Sequence, residues 1–114
     1  MNKAEKLKKS YEFKAVYNKG KVYSNNLLVL YIVKNNADYN KAGFSVSKKV
    51  GKSVVRNKVR RRIRECYRLN SDRLKSGYNM VFISRVQARG ALYREIENAM
   101  ISLFKKALVW NYEE

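Results

Sequence analysis

Apolar residues recur along this chain with two different periods, one typical of helices and the other of strands. Phe13 and Tyr17 lie four residues apart, so they share one face of a helix predicted over residues 11–18. Ser10 precedes this segment as a candidate N-cap, and Gly20 follows it as a candidate helix stop. The first predicted element is therefore a short helix with one aromatic face.

Three later stretches have the composition of β-strands. Residues 22–34 are mostly β-branched, aliphatic and aromatic, and the pair Asn25 and Asn26 predicts a bend that divides them into two strands. The second of these strands is apolar on both faces, so we expect it to be central and covered on both sides. Residues 42–49 alternate between an apolar face and a small, polar, basic face, and residues 78–84 form the last strand.

Two longer segments repeat their apolar residues at the helical period. The first helix is predicted over residues 53–69 with Ser53 as its candidate N-cap, and its apolar stripe consists of Val55, Val59, Ile63 and Cys66. The second follows Gly90 for about 17 residues, and its stripe consists of Leu92, Ile96, Ala99, Met100, Leu103, Phe104 and Ala107. The order α-β-β-β-α-β-α predicts an α+β sandwich in which helices cover a small central sheet, in a single domain of residues 1–114.

Positive charge distinguishes this chain from an ordinary small domain. Its 114 residues include 26 Lys and Arg against 9 Asp and Glu, which gives a net charge of +17. Nine of these cations lie within residues 48–64, where there is no acidic residue. Residues 1–9 are also rich in lysine, and we expect them to form a flexible arm. Such an excess repels itself and favours a polyanionic partner, above all a nucleic acid, whose counterions are released on binding.

Helical phase places most of this charge on one side of the helix predicted over residues 53–69. The sector opposite the apolar stripe holds Asn57, Arg60, Arg61, Arg64 and Arg68. Arg56 lies at the edge of this sector. Lys58 and Arg62 fall toward the other flank. The guanidinium group presents a planar fork that matches phosphates and base edges, and open N–H groups at a helix start also bind anions. Solvated helix faces normally mix both signs of charge, so this unmixed face predicts nucleic-acid binding.

Missing residue types exclude several kinds of chemistry. The chain has no histidine and one cysteine, Cys66, so it cannot build a Cys/His zinc site, a Ser-His or Cys-His nucleophile pair, or an internal disulfide. Its few carboxylates are scattered, which argues against a two-metal nuclease site. The lack of a disulfide fits a cytoplasmic protein, and the longest apolar run, residues 27–33, is too short to span a membrane. We expect Cys66 to be a small core residue.

Residues 50–64 read VGKSVVRNKVRRRIR and resemble the arginine-asparagine-arginine signature of the bacterial ribonuclease P protein family. Residues 43–49 are similar to that family's strand before the signature, and residues 7–9 to the start of its first helix. Ser53 stands where the signature usually has alanine, and Lys58 stands where arginine is common. Both replacements are conservative in size or charge, and the resemblance extends over nearly the whole chain.

The resemblance implies a fold and a function. The family's fold is the ribosomal protein S5 domain 2-like α+β sandwich, in which a left-handed β-α-β crossover carries the basic helix, a rare connection that residue patterns alone do not predict. Its members assist a catalytic RNA, the ribonuclease P RNA, in the endonucleolytic removal of the 5′ leader from precursor tRNA. The RNA holds the Mg²⁺ ions and performs the hydrolysis. We therefore expect no catalytic residue, metal ligand, membrane contact or obligate protein partner in the protein.

The resemblance also implies two binding sites. The RNA subunit would contact the basic helix at Lys52, Arg56, Asn57, Lys58, Arg60, Arg61, Arg64 and Arg68. The single-stranded leader would lie in a groove between the first helix and the sheet, formed by Lys9, Phe13, Tyr17, Val29, Tyr31, Ser45, Ser47 and Lys49. Aromatic platforms beside cations are suited to single-strand binding. By spacing alone, however, Phe13 and Tyr17 are more often core residues.

Three other classes of function share some of these sequence features. A ribosomal or general RNA-binding structural protein would share the charge but would show no preference for precursor over mature tRNA. A membrane-surface protein would need a bulky apolar face on its basic helix, whereas the stripe here is built from small side chains. A free-standing nuclease is disfavoured by the scattered acids and the missing histidine.

Overall fold

The computed structural model describes residues 5–112, with side chains from residue 6 onward. Within this range the chain forms three α-helices, none of them long and apolar enough to cross a membrane, and a five-stranded sheet. The helices are α1 (Ser10–Lys19), α2 (Ser53–Asn70) and α3 (Tyr93–Lys106). The strands are β1 (Glu5–Lys6), β2 (Lys21–Ser24), β3 (Leu28–Lys34), β4 (Lys41–Ser45) and β5 (Tyr78–Ser84).

The sheet is mixed, with the strand order β1-β4-β5-β3-β2. Strand β3 is antiparallel to both β2 and β5, whereas β4 runs parallel to β5 and to β1. Because β4 and β5 are parallel neighbours, the chain must cross over between them, and α2 forms this crossover. The predicted α+β fold with a small central sheet is confirmed, and the basic helix is the crossover element.

The main core lies between one face of the sheet and the helices α2 and α3. Leu28, Leu30 and Ile32 of β3 point into this core in the predicted alternation, and all three are buried. Phe82 of β5 is fully buried beside them, and its ring packs against three other aromatic rings. This core supplies the rigid platform on which α2 is held.

The opposite face of the sheet is covered by α1, a helix of only ten residues. Val16 of α1 and Val81 of β5 are fully buried there. Tyr31 and Val33 of β3 pack against this smaller cluster but stay partly exposed. The expectation that β3 is covered on both sides therefore holds fully for one face and partly for the other, and side chains of the sheet remain open beside α1.

The first described residues lie on the sheet rather than in the flexible arm predicted over residues 1–9, of which residues 1–4 are outside the described range. Strand β1 pairs with β4, and the backbone N–H of Leu7 donates to the carbonyl of Ala42 at 3.0 Å. The side chain of Leu7 is buried in the cluster beneath α1. The composition of residues 1–9 does not predict this attachment to the sheet, because several lysines surround Leu7, the one described residue there whose side chain enters the core.

The N-caps predicted at two serines lie one residue away from the observed ones. Helix α1 starts at Ser10 with Lys9 at its N-cap, and Ser53 is the first residue of α2 rather than its cap. In α1 the hydrogen-bond acceptor is the carboxylate of Glu12, which accepts from the backbone N–H groups of Lys8 and Lys9 at 2.9 and 3.0 Å. The carboxylate of Glu12, in the first turn of the helix, therefore caps backbone N–H groups at the start of α1, a role that was expected of a serine hydroxyl.

Two further boundaries differ from the prediction. Strand β4 ends at Ser45, so Ser47 and Lys49 lie beyond it, and Lys49 is part of a short 3-10 helix over Lys48–Val50. Helix α3 has 14 residues and begins after Leu92, whose side chain is 69% exposed instead of lying in the apolar stripe. Alternation and helical period both continue past the ends of real elements, so they overestimate element lengths.

We expect Glu12→Gln to destabilise the protein at neutral pH and to lose this effect in acid. The backbone N–H groups of Lys9 and Lys8, and then the ammonium of Lys41 at 3.3 Å, lower the pKa of Glu12 from 4.5 to about 2. A lowered pKa stabilises the fold above the unfolded-state pKa, and this contribution disappears as the pH falls through the folded-state pKa. The urea midpoints of the two proteins should therefore differ at pH 7 and converge between pH 4.5 and about 2. Asp72→Asn removes an exposed carboxylate as a control, and identical pH profiles for both variants would contradict this role of Glu12.

Candidate nucleic-acid interface

Helix α2 is seated in the core by its apolar stripe, which determines where its other side points. Val59, Ile63 and Cys66 are buried as predicted, and Tyr67 is buried with them. Burial raises the pKa of the Cys66 thiol to about 11, in keeping with a core residue. The turn before α2 requires Gly51, because its φ is +156° and a Cβ there would lie 3.0 Å from a side chain of the helix. The basic side of α2 is thereby held toward solvent.

The outward side of α2 carries a concavity of about 160 Å³, which is lined by Asn57, Arg60, Arg61 and Arg64. We call these four residues the arginine face. Arg60 Nη1 donates a 2.7 Å hydrogen bond to Oδ1 of Asn57, which orients that guanidinium group. No carboxylate lines the concavity, so its local field is positive. Helical phase predicted that these residues share one side, and the structure places them together.

Two other arginines of α2 hold neighbouring segments of the chain. Arg56 Nε donates to the carbonyl of Gly51 at 3.1 Å, which secures the turn before the helix. Arg62 Nη1 donates to the carbonyl of Ala91 at 2.8 Å, on the flank that faces the start of α3. Arg56, a predicted RNA-binding residue, therefore also has a structural role that helical phase does not show.

Arg68 lies one turn beyond the arginine face and is paired with a carboxylate. Its Nη2 and Nε lie 2.6 and 3.0 Å from Oε2 and Oε1 of Glu65. Both side chains of this pair are exposed, and the hydrogen bond from Arg68 lowers the pKa of Glu65. Lys52 at the N-cap of α2 and Lys58 on its flank are exposed. Arg68 thus presents less net charge to a partner than the arginine face does.

The second candidate site lies on the other side of the sheet, beside α1. Strand register puts Val29 of β3 and Ser45 of β4 in one row across β5, on the face toward α1. Tyr31 lies in the next row, and the ring of Tyr17 packs edge-on against it with centroids 5.0 Å apart. Burial raises the pKa of Tyr17, whose hydroxyl is hydrogen-bonded with Ser45. The structure brings these four predicted residues together, and we call their surface the aromatic groove.

Phe13 contributes to the packing between α1 and β4. A Cβ added at Gly43 would lie 2.5 Å from Cζ of Phe13, so the ring fills the space that a side chain on β4 would occupy. Phe13 and Tyr17 are both half-buried and both pack on the apolar cluster beneath α1. Each ring therefore lies partly in the core and partly at the surface, and a role of either ring in leader binding stays a prediction.

The remaining predicted groove residues lie at the ends of this surface. Lys9 is exposed at the N-cap of α1, and Ser47 and Lys49 are exposed after the end of β4. Ile83 of β5 lies between Val29 and Ser45 in the same row and was not predicted. The alternation of residues in β5 could have identified Ile83, because it lies two residues after Val81 and therefore on the same face, beneath α1.

Known protein sequences resemble this chain over nearly its whole length. A family model described as Ribonuclease P matches residues 1–108 of the chain. The ribonuclease P protein component of Clostridium botulinum (strain 657 / Type Ba4) is 56% identical over 110 residues, which cover 96% of this chain and 99% of that protein. The ribonuclease P protein component of Clostridioides difficile (strain 630) is 48% identical over 106 residues, which cover 92% of this chain and 93% of that protein.

Solved structures show the same fold. The RNase P protein of Staphylococcus aureus matches with a TM-score of 0.85 and 34% identity, covering 96% of this chain and 100% of that one. The RNase P protein of Thermotoga maritima matches with a TM-score of 0.82 and 28% identity, covering 90% of this chain and 96% of that one. Since the family model spans almost the whole chain and relatives share about half of its residues, the chain belongs to the ribonuclease P protein family.

Proposed function

We propose that this protein component of ribonuclease P binds the RNA subunit through the arginine face and the single-stranded 5′ leader of precursor tRNA through the aromatic groove. The two surfaces lie on opposite sides of the sheet, because α2 and α1 cover opposite faces. One small domain can therefore contact two RNA molecules at once. In this proposal the protein positions the substrate on a cytoplasmic ribonucleoprotein, and the RNA performs the hydrolysis.

The arginine face is the observation that carries the proposal. Three guanidinium groups converge on one concavity without a carboxylate among them, and one of the three is oriented by Asn57. The apolar stripe of α2 is buried, so these groups cannot turn inward to find partners in the core. Guanidinium forks bind phosphate oxygens in pairs, and neutralised phosphates release counterions. A folded RNA offers the closely spaced phosphates that such a surface requires.

The aromatic groove supports the leader-binding half of the proposal. Tyr17 and Tyr31 are half-buried and present the remainder of their rings beside Val29 and Ser45. Unpaired bases stack on such rings with little sequence preference, and each stacked base contributes roughly 1–3 kcal/mol. Lys49, exposed beyond β4, is available to a leader phosphate. A surface of this kind suits a single strand, whose bases are free to leave their stack.

We infer that Mg²⁺ and the chemical step belong to the RNA subunit. The chain has no histidine, and the pKa of its one thiol is raised to about 11, so it offers no ordinary general base or nucleophile of that kind. Its net charge of +17 offsets repulsion between phosphates of the RNA subunit and the substrate. The protein would therefore reduce the Mg²⁺ concentration that the RNA needs.

Reconstitution tests this proposal. The chain is mixed with ribonuclease P RNA transcribed from Clostridium botulinum, and cleavage of precursor tRNA is measured over a series of Mg²⁺ concentrations. We expect no cleavage by the protein alone at any Mg²⁺ concentration, and cleavage by the mixture at lower Mg²⁺ than by the RNA alone. Turnover by rigorously RNA-free protein would contradict the assignment of catalysis to the RNA. An unchanged Mg²⁺ requirement would contradict the role of the protein.

We expect Tyr17→Ala to weaken the affinity of the holoenzyme for precursor tRNA roughly 5- to 100-fold with a long leader, because one stacking platform is lost. The loss should shrink with a one-nucleotide leader and disappear with mature tRNA. Because Tyr17 is only half-buried, its loss of stability should stay below the roughly 3–5 kcal/mol typical of a fully buried aromatic residue. Affinity is measured with the three RNAs, and stability by the urea midpoint.

Tyr11→Ala is the matched control for Tyr17→Ala, since Tyr11 lies on the same helix and is 67% exposed. Phe13→Ala should lower both affinity and stability, because its ring fills the space above Gly43. A large loss of stability at Tyr17 with no dependence on leader length would assign that residue to the core. Equal binding of precursor and mature tRNA by the intact holoenzyme would favour a general RNA-binding protein.

A further inference from the structure

A cavity of about 240 Å³ opens next to the arginine face, between α2 and the β1–β4 edge of the sheet. Its floor is formed by Ala42 and Phe44 of β4 and by Tyr67 of α2. Ala42 and Tyr67 are buried, and Phe44 is half-buried. We call this space the Tyr67 cavity. None of its floor residues belongs to the arginine face or to the aromatic groove.

Two rings in the floor are held rigidly by the core. Phe44 stacks on Phe82, with centroids 5.6 Å apart and an angle of 10° between the ring planes. Phe44 also meets Tyr67 edge to face at 5.8 Å, and Tyr67 lies 5.7 Å from Phe82. Because the three rings support one another, the aromatic surface toward the cavity is formed before any ligand arrives. A flat ligand therefore contacts ring carbons without first rearranging the floor.

The hydroxyl of Tyr67 has no hydrogen-bond partner among the described residues. Only 3% of Tyr67 is exposed, and this residue lines the cavity. Burial alone raises the pKa of Tyr67, without a contribution from a charged or hydrogen-bonding neighbour. A hydroxyl at a cavity wall can both donate and accept a hydrogen bond. A ligand with a polar edge would find a partner there.

The rim of the Tyr67 cavity is cationic. It is formed by Lys6, Arg64 and Arg68, and the one carboxylate there, that of Glu65, accepts hydrogen bonds from Arg68 on both oxygens. Arg64 lines both this cavity and the concavity of the arginine face. The two sites therefore adjoin at Arg64, so a nucleic-acid strand bound to the arginine face would pass the mouth of the cavity.

We propose that the Tyr67 cavity receives one unstacked base of the ribonuclease P RNA, with the adjacent phosphate on Arg64. This rests on the proposed binding of that RNA to the arginine face, and it adds a contact to a base where the arginine face contacts phosphates. The cavity is smaller than the roughly 300–1,000 Å³ of common ligand pockets, so it suits a single planar ring system. The hydroxyl of Tyr67 pairs with the polar edge of that base. An acidic protein segment would satisfy the rim but offers no planar ring for the aromatic floor.

The first test uses Tyr67→Phe, which removes the hydroxyl and keeps the ring. Base accessibility of Clostridium botulinum ribonuclease P RNA is mapped with dimethyl sulfate and a carbodiimide, with and without protein. We expect the unsubstituted protein to protect an unpaired base of the RNA, and we expect Tyr67→Phe to protect that base less. The variant should also bind the RNA roughly 2- to 10-fold more weakly, which corresponds to the loss of one hydrogen bond. The urea midpoint should not fall, because burial is the one influence on the pKa of the Tyr67 hydroxyl and no hydrogen bond from the described residues contributes. Tyr23→Phe, which changes a half-buried tyrosine of β2, is the control.

The second test uses Ala42→Val, which fills the cavity from its floor. We expect loss of the same base protection, while hydroxyl-radical protection of the RNA backbone by the arginine face persists. If both variants protect the same bases as the unsubstituted protein, the Tyr67 cavity does not hold a base and the proposal is overturned, even where arginine-face variants release the RNA. If the unsubstituted protein does not bind the RNA at all, the proposed function fails as well. Should Ala42→Val fail to fold, Tyr67→Phe decides alone.

Discussion

The double variant Arg60→Ala/Arg64→Ala should bind ribonuclease P RNA roughly 100-fold more weakly than the unsubstituted protein and with a flatter salt dependence. A hydrogen bond to a charged group contributes about 1.5–3 kcal/mol, so two such contacts at the lower end of this range account for a loss of this size. Each lost phosphate contact also reduces the slope of log affinity against log salt by about 0.9 on a double helix. The pair should therefore lower the slope by nearly two units when dissociation constants are measured over a salt series.

The control for the arginine face removes the same charge from the other flank of α2. Lys58→Ala/Arg62→Ala should weaken RNA binding less, because both side chains point away from the concavity of the arginine face. This variant should lose some stability instead, since Arg62 donates a 2.8 Å hydrogen bond to the carbonyl of Ala91. Equal losses of RNA affinity in the two double variants would indicate a diffuse field and would contradict an oriented arginine face.

Trp110→Ala should destabilise the protein by about 3–5 kcal/mol, the range for truncation of a buried large aromatic residue. Trp110 follows α3 and is 7% exposed, and its backbone pairs with that of Leu74. Its ring stacks on Phe104, with centroids 6.0 Å apart and an angle of 5° between the planes. The guanidinium carbon of Arg73 lies over the Trp110 ring, 5.0 Å from its centroid. The residue thereby fastens the end of the described chain to the core.

The loss expected at Trp110 is large for a domain of this kind, because total stabilities are about 5–15 kcal/mol and a net charge of +17 adds self-repulsion. Urea unfolding followed by far-ultraviolet circular dichroism measures the effect without the tryptophan signal. Tyr112→Ala is the matched control, since Tyr112 is 66% exposed, and its change should stay within about 0.5 kcal/mol. A loss below about 1 kcal/mol at Trp110 would mean that its ring does not secure this segment.

Periodicity within single elements accounts for what could be predicted about the fold. In β3 the alternation of Leu28, Leu30 and Ile32 is reproduced as a buried row, because successive side chains of a strand point to opposite faces. In α2 the 3.6-residue period separates the buried stripe from the arginine face for the same local reason. The boundaries were less predictable, as Leu92 shows, because an apolar residue in phase can lie outside the helix.

The two candidate sites also differ in how far local sequence patterns could predict them. The arginine face lies on one helix, so its residues could be grouped by phase, although their role in RNA binding stays a prediction. The aromatic groove combines Tyr17 of α1, Tyr31 of β3 and Ser45 of β4, and it depends on a register across β5 that no local pattern contains. Family resemblance, and not spacing, predicted that these residues meet.

The sequence by itself determined that the chain is an α+β domain with one strongly basic helix, because composition and period act over a few residues at a time. Only the tertiary structure decided how segments distant in sequence share one site. It seats Leu7 on β4, places the ring of Phe13 over Gly43, and brings Tyr67 of α2 against Phe44 of β4. These contacts follow from strand order and from the packing of α1 and α2 on opposite faces of the sheet. Such packing is a property of the whole core, so it cannot be found in any one segment.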